Sequence, residues 1–435
     1  MHRIRNLTIA AALACAATVG VLEADRAESA TPAMPGSITG YAFDACQTPD
    51  QASMDTWRQD SPYSAVGVYL AGVNRLCKDQ PNLTADWVAE EAGKGWRVLP
   101  LTVGLQASCS HFADGRRIDP TRADSYLAAR KQGRAEARST VAAATDVGIG
   151  RASTLWFDLE DFDLGDTRCR QSALSFLSAW TTTLHDLGYR SGVYSSAASG
   201  IKALDYARTT APDAYTMPDQ IWFAHWNGEE KVGSTQFSAD DWTPHRRIHQ
   251  YASTHLETYG DVGLQVDSSF MDVGRGSVAP KAEAHCGVRV DFGSYRLQHR
   301  GDRGAQVAAA QCLLLHEGVY DGPVSGRFTP ATVAAVKTFQ GNHPPLGLTG
   351  GVNAKTWTAL LSQGSTPLMK YGAASNAVRR FQRALNAAGG EGLTVTGVFE
   401  GKVRAATKRY QRAHGLDDTG VVTDDLWAAL QTGTV

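Results

Sequence analysis

The segment Leu155-Trp156-Phe157-Asp158-Leu159-Glu160-Asp161-Phe162 is an apolar run that ends in a burst of carboxylates. Side chains alternate faces along a strand, so Asp158 and Glu160 point one way while Phe157 and Leu159 point the other. Two neighbouring acids at the end of a buried strand disfavour double ionisation, and one of them is expected to keep its proton above the ordinary carboxylate range. A protonated acid beside an ionised partner is the pairing that glycoside cleavage requires. The competing account is a solvated strand end without chemistry. Nucleophilic-serine chemistry has little support, because no Gly-x-Ser-x-Gly elbow is present and Ser195-Ser196 lacks a His-Asp companion pattern. No Gly-rich phosphate cradle is found either. His225, His245, His249 and His255 are too irregularly spaced for a metal set, so neither a metal nor an organic cofactor is expected.

The elements that must position these acids alternate. Strand-like runs occupy 38–43, 65–70, 97–103, 154–159, 191–195, 220–225, 247–252 and 263–270, with helical patterns between most of them, notably 122–147 and 171–187. Gly148 and Gly188 supply helix stops. Eight strands in residues 37–273 have the size and rhythm of a (β/α)8 TIM-like barrel, an α/β fold whose site lies at the C-terminal ends of the strands. The residues placed there are Asp44, Tyr69, Gln106, Asp158 with Glu160, Tyr194, His225 with Trp226, Gln250 with Tyr251, and Asp267. Acids and aromatics together suit a sugar-binding cleft. Tyr69, Tyr194, Trp222 and Trp226 are candidate stacking platforms, with Tyr194 and Trp226 preferred. Glu160, further out on its strand, is read as the general acid. Asp158 would stabilise positive charge or orient a substrate N-acetyl group, and Asp44 would add a third carboxylate.

The chain has 435 residues, more than one ordinary core accommodates, and a formal net charge of −2, which argues against nucleic acid as a partner. Charge is unevenly spread. Residues 296–435 hold 15 Lys or Arg against 9 Asp or Glu, whereas the remainder holds 27 against 35. A basic tail on an acidic body suits attachment to an anionic polymer. Residues 1–33 read as a secretory leader: Arg3 and Arg5 precede a short apolar run, and an Ala-rich stretch places cleavage near Ala30 or Ala33. No later segment is apolar enough to span a membrane. A lipoprotein reading through Cys15 is weakened by Ala12, which stands where a large aliphatic is preferred. Cys46, Cys77, Cys109, Cys169, Cys286 and Cys312 remain after the leader, an even number that reads as disulfides. Cys286 and Cys312 pair by their isolation in the chain; the other four allow three pairings.

The last 140 residues repeat. Phe328 to Gln340 matches Phe399 to Gln411 at an offset of 71, which recurs between Leu297 and Leu368 and between Gln311 and Gln382. Trp357 and Trp427 differ by 70. Repeat 1 (296–364) and repeat 2 (368–433) follow a linker at 274–295. Gly301-Asp302-Arg303-Gly304 through Gln311, Val324-Ser325-Gly326-Arg327-Phe328 through Phe339-Gln340, and Gly347-Leu348-Thr349-Gly350 to Trp357 resemble the small three-helix peptidoglycan-binding domain of wall hydrolases. Repeat 2 keeps Gly397-Val398-Phe399, Tyr410-Gln411 and Trp427 but reads Tyr371-Gly372-Ala373-Ala374 where repeat 1 has its Gly-Asp-Arg-Gly opening.

The body also resembles a known family. Gly40-Tyr41-Ala42-Phe43-Asp44, Ala65 to Leu70, Trp156-Phe157-Asp158-Leu159-Glu160 and Arg190 to Ser196 are similar to the glycoside-hydrolase-like domain of secreted actinobacterial proteins, itself similar to the family 25 lysozymes. Ile221 to Trp226, His249 to Ser253 and Val266-Asp267 extend the match. The resemblance implies that Asp44, Asp158 and Glu160 carry catalysis, while Tyr69, Tyr194, Trp222, His225, Trp226, Gln250 and Asp267 are expected from their residue types and place at the barrel mouth to line the substrate site. It departs at Ser268-Ser269, where the lysozymes have Leu-Asn, and in the four barrel cysteines. The expected protein is a secreted, wall-associated monomer that cleaves a β-linked N-acetylhexosamine polymer, peptidoglycan foremost. The alternatives are a non-catalytic wall-glycan binder and a hydrolase of chitin or another amino-sugar polymer.

Overall fold

The computed structural model describes residues 31–111 and 115–435; the expected leader and Cys15 lie outside the described residues, apart from positions 31–33. The strands are β1 (Ile38–Asp44), β2 (Tyr63–Ala71), β3 (Arg97–Thr102), β4 (Thr154–Asp158), β5 (Arg190–Ser196), β6 (Gln220–Ala224), β7 (Arg246–Tyr259) and β8 (Val262–Val273). They close into a barrel in sequence order, β8 returning to β1. Five helices lie between the strands: α1 (Gln51–Asp60), α2 (Ala85–Lys94), α3 (Ala123–Asp146), α4 (Thr167–Asp186) and α5 (Gly200–Thr210). Local sequence sets their ends. Asp50, Thr84 and Asp166 accept N-cap hydrogen bonds for α1, α2 and α4. Gly148 and Gly188 take positive φ two residues beyond α3 and α4, as their role as stops requires.

The barrel departs from a strict (β/α)8 pattern. Strands β1 to β7 pair in parallel, but β8 is antiparallel to both β7 and β1. The cause is local: only Gly260 and Asp261 separate β7 from β8, and a two-residue turn permits an antiparallel partner alone. Among the described residues no helix follows β6 or β7.

Inside the barrel Ala42, Ala65, Leu99, Leu101, Trp156, Trp222, Ile248 and Met271 form an apolar plug, with Trp156 edge-on to Trp222 at 5.8 Å. Small residues make room for large ones. A Cβ on Gly192 would sit 2.3 Å from the Trp156 ring, and one on Gly67 would sit 2.5 Å from the Asp44 Cβ. The outward faces of the strands pack on the helices through Phe43, Trp57, Trp96, Phe157, Phe176 and Trp180. Disulfides Cys46–Cys77 and Cys109–Cys169 resolve the pairing left open by the sequence; the third is Cys286–Cys312.

The C-terminal helices are α6 (Ala305–His316), α7 (Pro330–Asn342) and α8 (Ala354–Ser362) in repeat 1, and α9 (Asn376–Gly389), α10 (Gly401–Ala413) and α11 (Asp424–Gln431) in repeat 2. One hydrophobic cluster runs through both repeats and includes Val290 from the segment expected to be a linker. Four glutamines hold the turns. Gln311 accepts from the Gly326 N–H and donates to the Arg327 carbonyl, and Gln382 does the same with Gly397 and Val398. Gln340 and Gln411 bind the turns at Gly350–Gly351 and Gly420–Val421 in the same way. The repeated glutamines are therefore structural: each satisfies buried backbone groups that the turn leaves unpaired.

Candidate active site

Asp44 ends β1 and Asp158 ends β4; they are 3% and 4% exposed. Glu160 follows β4 and is partly exposed. Asp267 lies mid-strand in β8, opposite Asp44, because the antiparallel β7–β8 hairpin runs on past the barrel mouth. These four acids line one cavity of about 270 Å³ with Tyr69, Thr254 and the Cys46–Cys77 disulfide. Two sequence distances of over a hundred residues are closed here by the barrel alone.

The hydrogen bonds hold the acids unequally. Tyr69 Oη donates to Asp44 Oδ1 at 2.7 Å, and Thr254 Oγ1 donates to Asp267 Oδ1 at 2.7 Å. Gln250 Nε2 reaches both Asp44 Oδ2 and Asp267 Oδ2, at 3.3 and 3.2 Å. Its Oε1 accepts from Tyr194 Oη and Trp226 Nε1, each at 2.9 Å. Gln250 is thus the hub of the floor. Asp158 Oδ1, by contrast, is buried with no hydrogen-bond partner among the described residues.

Electrostatics follow from this burial. Asp44 is pushed up to about 8 by desolvation and the Asp267 charge, against the stabilising hydrogen bonds of Tyr69 and Gln250. Asp158 is held well above the ordinary carboxylate range by burial first, then by Glu160, Asp44 and Asp267. Glu160 is raised by burial, Asp161 and Asp267, and Asp267 by burial. The cluster therefore shares protons at neutral pH. This alters the expected division of labour within the pair: burial raises both members, so it does not set one apart as acid and the other as ionised partner.

Two expected site residues lie elsewhere. Trp222 is fully buried beneath the mouth, its Nε1 donating to Ser269 Oγ at 3.1 Å, so it plugs the barrel rather than offering a face to sugar. His225 follows the outward phase of β6, two residues after Phe223, and its ring lies 6.2 Å from that of His249 outside the strand wall. Tyr194 sits edge-on to Trp222 at 5.6 Å and acts through its hydroxyl. Trp226, 62% exposed, keeps an open ring face at the rim.

Gln106 is a contributor whose role the sequence did not disclose. Fully buried, it donates from Nε2 to the Asp158 carbonyl at 2.9 Å and accepts the Glu160 N–H on Oε1 at 2.7 Å. It completes the backbone of β4 where neighbouring strands end, so it positions both acids. A strand-end Gln was visible, but not its partners. Among the described residues, one group with metal-ligand spacing occurs, Cys286, Cys312 and His316, and its two sulfurs are joined in a disulfide. No helix of the described residues is long and apolar enough to cross a membrane.

A closed barrel with clustered carboxylates at its mouth and two three-helix modules behind it defines a glycoside-hydrolase-like protein with wall-polymer modules. Residues 55–271 match the profile described as the Rv2525c-like, glycoside hydrolase-like domain, and residues 303–360 and 374–430 match the putative peptidoglycan binding domain. The barrel is an Rv2525c-like domain, followed by two peptidoglycan-binding-type repeats. No curated protein matches the chain. Solved structures similar to it include an uncharacterized B. stearothermophilus protein, at 22% identity over 53% of this chain and 95% of that one, with a TM-score of 0.37. The Mycobacterium tuberculosis Tat-secreted protein Rv2525c, in complex with L-tartrate, is 12% identical over 54% and 95%, with a TM-score of 0.37. The modular autolysin LytC from Streptococcus pneumoniae is 14% identical over 53% and 46%, with a TM-score of 0.34. The domain composition supports a cell-wall glycan hydrolase or glycan binder.

Proposed function

We propose that the protein is a secreted glycoside hydrolase that cleaves a β-linked N-acetylhexosamine polymer, peptidoglycan foremost, while held on the wall by its C-terminal modules. In this reading residues 1–33 are a leader, 37–273 the catalytic barrel, 274–295 a connection, and 296–364 and 368–433 the two repeats. The observation that carries it is the unpartnered Asp158 Oδ1 inside a cavity of four acids. Leaving a buried oxygen unpaired costs about 1–3 kcal/mol, which a substrate donor recovers on binding.

The acetamido N–H of an N-acetylhexosamine is a donor suited to Asp158 Oδ1. Held there, its carbonyl oxygen closes on the anomeric carbon as the glycosidic bond breaks. Glu160, raised and open to solvent, gives its proton to the departing oxygen. Water then opens the cyclic intermediate and returns a proton to Glu160. Asp44 and Asp267, bridged by Gln250, sit beneath the developing positive charge, which favours release of the proton that the cluster holds. Trp226 stacks on a neighbouring ring at the rim.

The test is reducing-end release from peptidoglycan and from chitin, with Glu160→Gln alongside. Release from peptidoglycan that depends on Glu160 is the expected outcome. Equal release by both proteins, or none from any glycan, would overturn the enzyme reading in favour of a binder, and release from chitin alone would move the substrate.

A further inference from the structure

The two repeats share a fold but present different surfaces. Repeat 1 opens a pocket of about 430 Å³ lined by Phe292, Arg296, Gln298, Arg303 and Gln306. Gln306 builds its wall: Oε1 accepts the Arg296 N–H and Nε2 donates to the Ser294 carbonyl, each at 2.9 Å. Gln298 donates to the carbonyls of Arg296 and Leu297. The guanidinium groups of Arg296 and Arg303, both exposed, have no hydrogen-bond or ion-pair partner among the described residues. Two unpaired planar cations beside a polar wall suit an oxyanion.

Repeat 2 has lost four of the five polar lining residues, keeping only a serine, Ser365 for Ser294. The equivalents of Arg296, Gln298, Arg303 and Gln306 are Pro367, Met369, Ala374 and Ala377. The equivalence is structural as well as sequential. Trp357 Nε1 donates to the Arg296 carbonyl at 2.9 Å and Trp427 Nε1 to the Pro367 carbonyl at 3.0 Å. The bridges Gln298–Val352 and Arg303–Arg327 recur as Met369–Val422 and Ala374–Val398.

The adjoining residues of repeat 2 are instead occupied by the barrel, at the end where β1 and β2 begin. Lys370 is buried there, and its Nζ donates to the carbonyls of Arg58, Ser61 and Tyr63 at 2.6, 2.8 and 3.0 Å. Tyr371 packs edge-on to Tyr41 and Phe270, at 5.2 and 5.6 Å. Ser277 Oγ donates to the Gly372 carbonyl at 2.6 Å, and a Cβ on Gly372 would lie 2.2 Å from the Thr39 oxygen. A Cβ on the matching Gly301 would meet nothing within 4 Å. In repeat 1 the same positions, His299 and Arg300, are exposed.

We infer that the repeats divide the work: repeat 1 alone holds wall polymer, taking an anionic oxygen group between Arg296 and Arg303, and repeat 2 is the foot that fixes this pocket to the base of the barrel. The inference rests on the wall reading above and names its site and ligand chemistry. The group is a carboxylate or a phosphate ester.

The test is co-sedimentation of the full chain with purified wall sacculi. Arg296→Glu/Arg303→Glu should weaken binding about tenfold or more, the loss of charge-assisted hydrogen bonds. Lys402→Glu/Arg412→Glu, the same charge change on exposed residues of repeat 2, should stay within about twofold, as expected of surface charges. Sacculi with amidated carboxylates and sacculi stripped of phosphate esters by hydrofluoric acid identify the anion, since one treatment should lower the parent to the level of the repeat 1 variant. The inference is overturned if the repeat 1 variant binds as the parent does, if the repeat 2 variant loses as much, or if parent binding survives both treatments. A parent that never sediments with wall overturns the wall reading itself, and this inference with it. Unchanged melting temperatures exclude misfolding as the cause.

Discussion

The buried acids of the barrel mouth and the buried turn-holding glutamines of the helical repeats are treated in opposite ways. In the repeats each of four buried glutamines meets both a backbone N–H and a backbone carbonyl, so each of these amides is satisfied on both sides. In the barrel four acids are driven together, and Asp158 Oδ1 is left without a partner among the described residues. Satisfied burial builds a scaffold; unsatisfied burial stores binding potential for something that arrives later. Similar side-chain polarity thus serves structure in one region and, in the function proposed, chemistry in the other.

The sharpest way to break this contrast is Glu160→Gln. Reducing-end release should fall about 10³-fold, within the range of a lost general acid. The melting temperature should hold or rise, because the change removes an acid that burial has raised. A fall in stability with activity retained would make the acids scaffold too. Gln411→Ala probes the other side. It strands the Gly420 N–H and the Val421 carbonyl, which should cost about 2 kcal/mol in urea unfolding. Cleavage of soluble glycan fragments should be spared.

A third measurement follows stability against pH. Asp44 sits at about 8 in the folded protein, above its value of about 4 when unfolded. Folding therefore favours its protonated form: the stability it contributes is full below about pH 4 and is lost as pH climbs to about 8. The melting temperature should drop about 5 °C between pH 5 and pH 8, and Asp44→Asn should flatten that slope. A profile unaffected by Asp44→Asn would remove Asp44 from the strained cluster. The smallest effect is expected from Trp226→Ala, an about threefold rise in KM for glycan with kcat held, the loss of one stacking face. A change in kcat alone would place Trp226 with the acids through Gln250.

Much of this architecture was legible along the chain. Period-two alternation revealed the strands and put Asp158 and Glu160 on one face, and an offset of 71 revealed the repeats. What failed did so for three-dimensional reasons. Trp222 has the correct inward phase, but one layer too deep, and depth is a property of how strands tilt and stagger in the closed barrel. His225 fell on the outward phase of β6. Asp267 was placed at a strand end and reaches the cavity instead because the Gly260-Asp261 turn reverses β8. The role of Gln106 needs the β4 backbone beside it, and that closeness is written nowhere in its neighbours.

The sequence by itself determined which groups this protein has for chemistry and the order of the elements that carry them, since both follow from residue type and short-range periodicity. Only the tertiary structure decided how far each acid is removed from water, which cysteines meet, and which repeat lies against the barrel. Those outcomes depend on distances between residues far apart in the chain. The desolvation that raises the acids arises only once the barrel has closed around them.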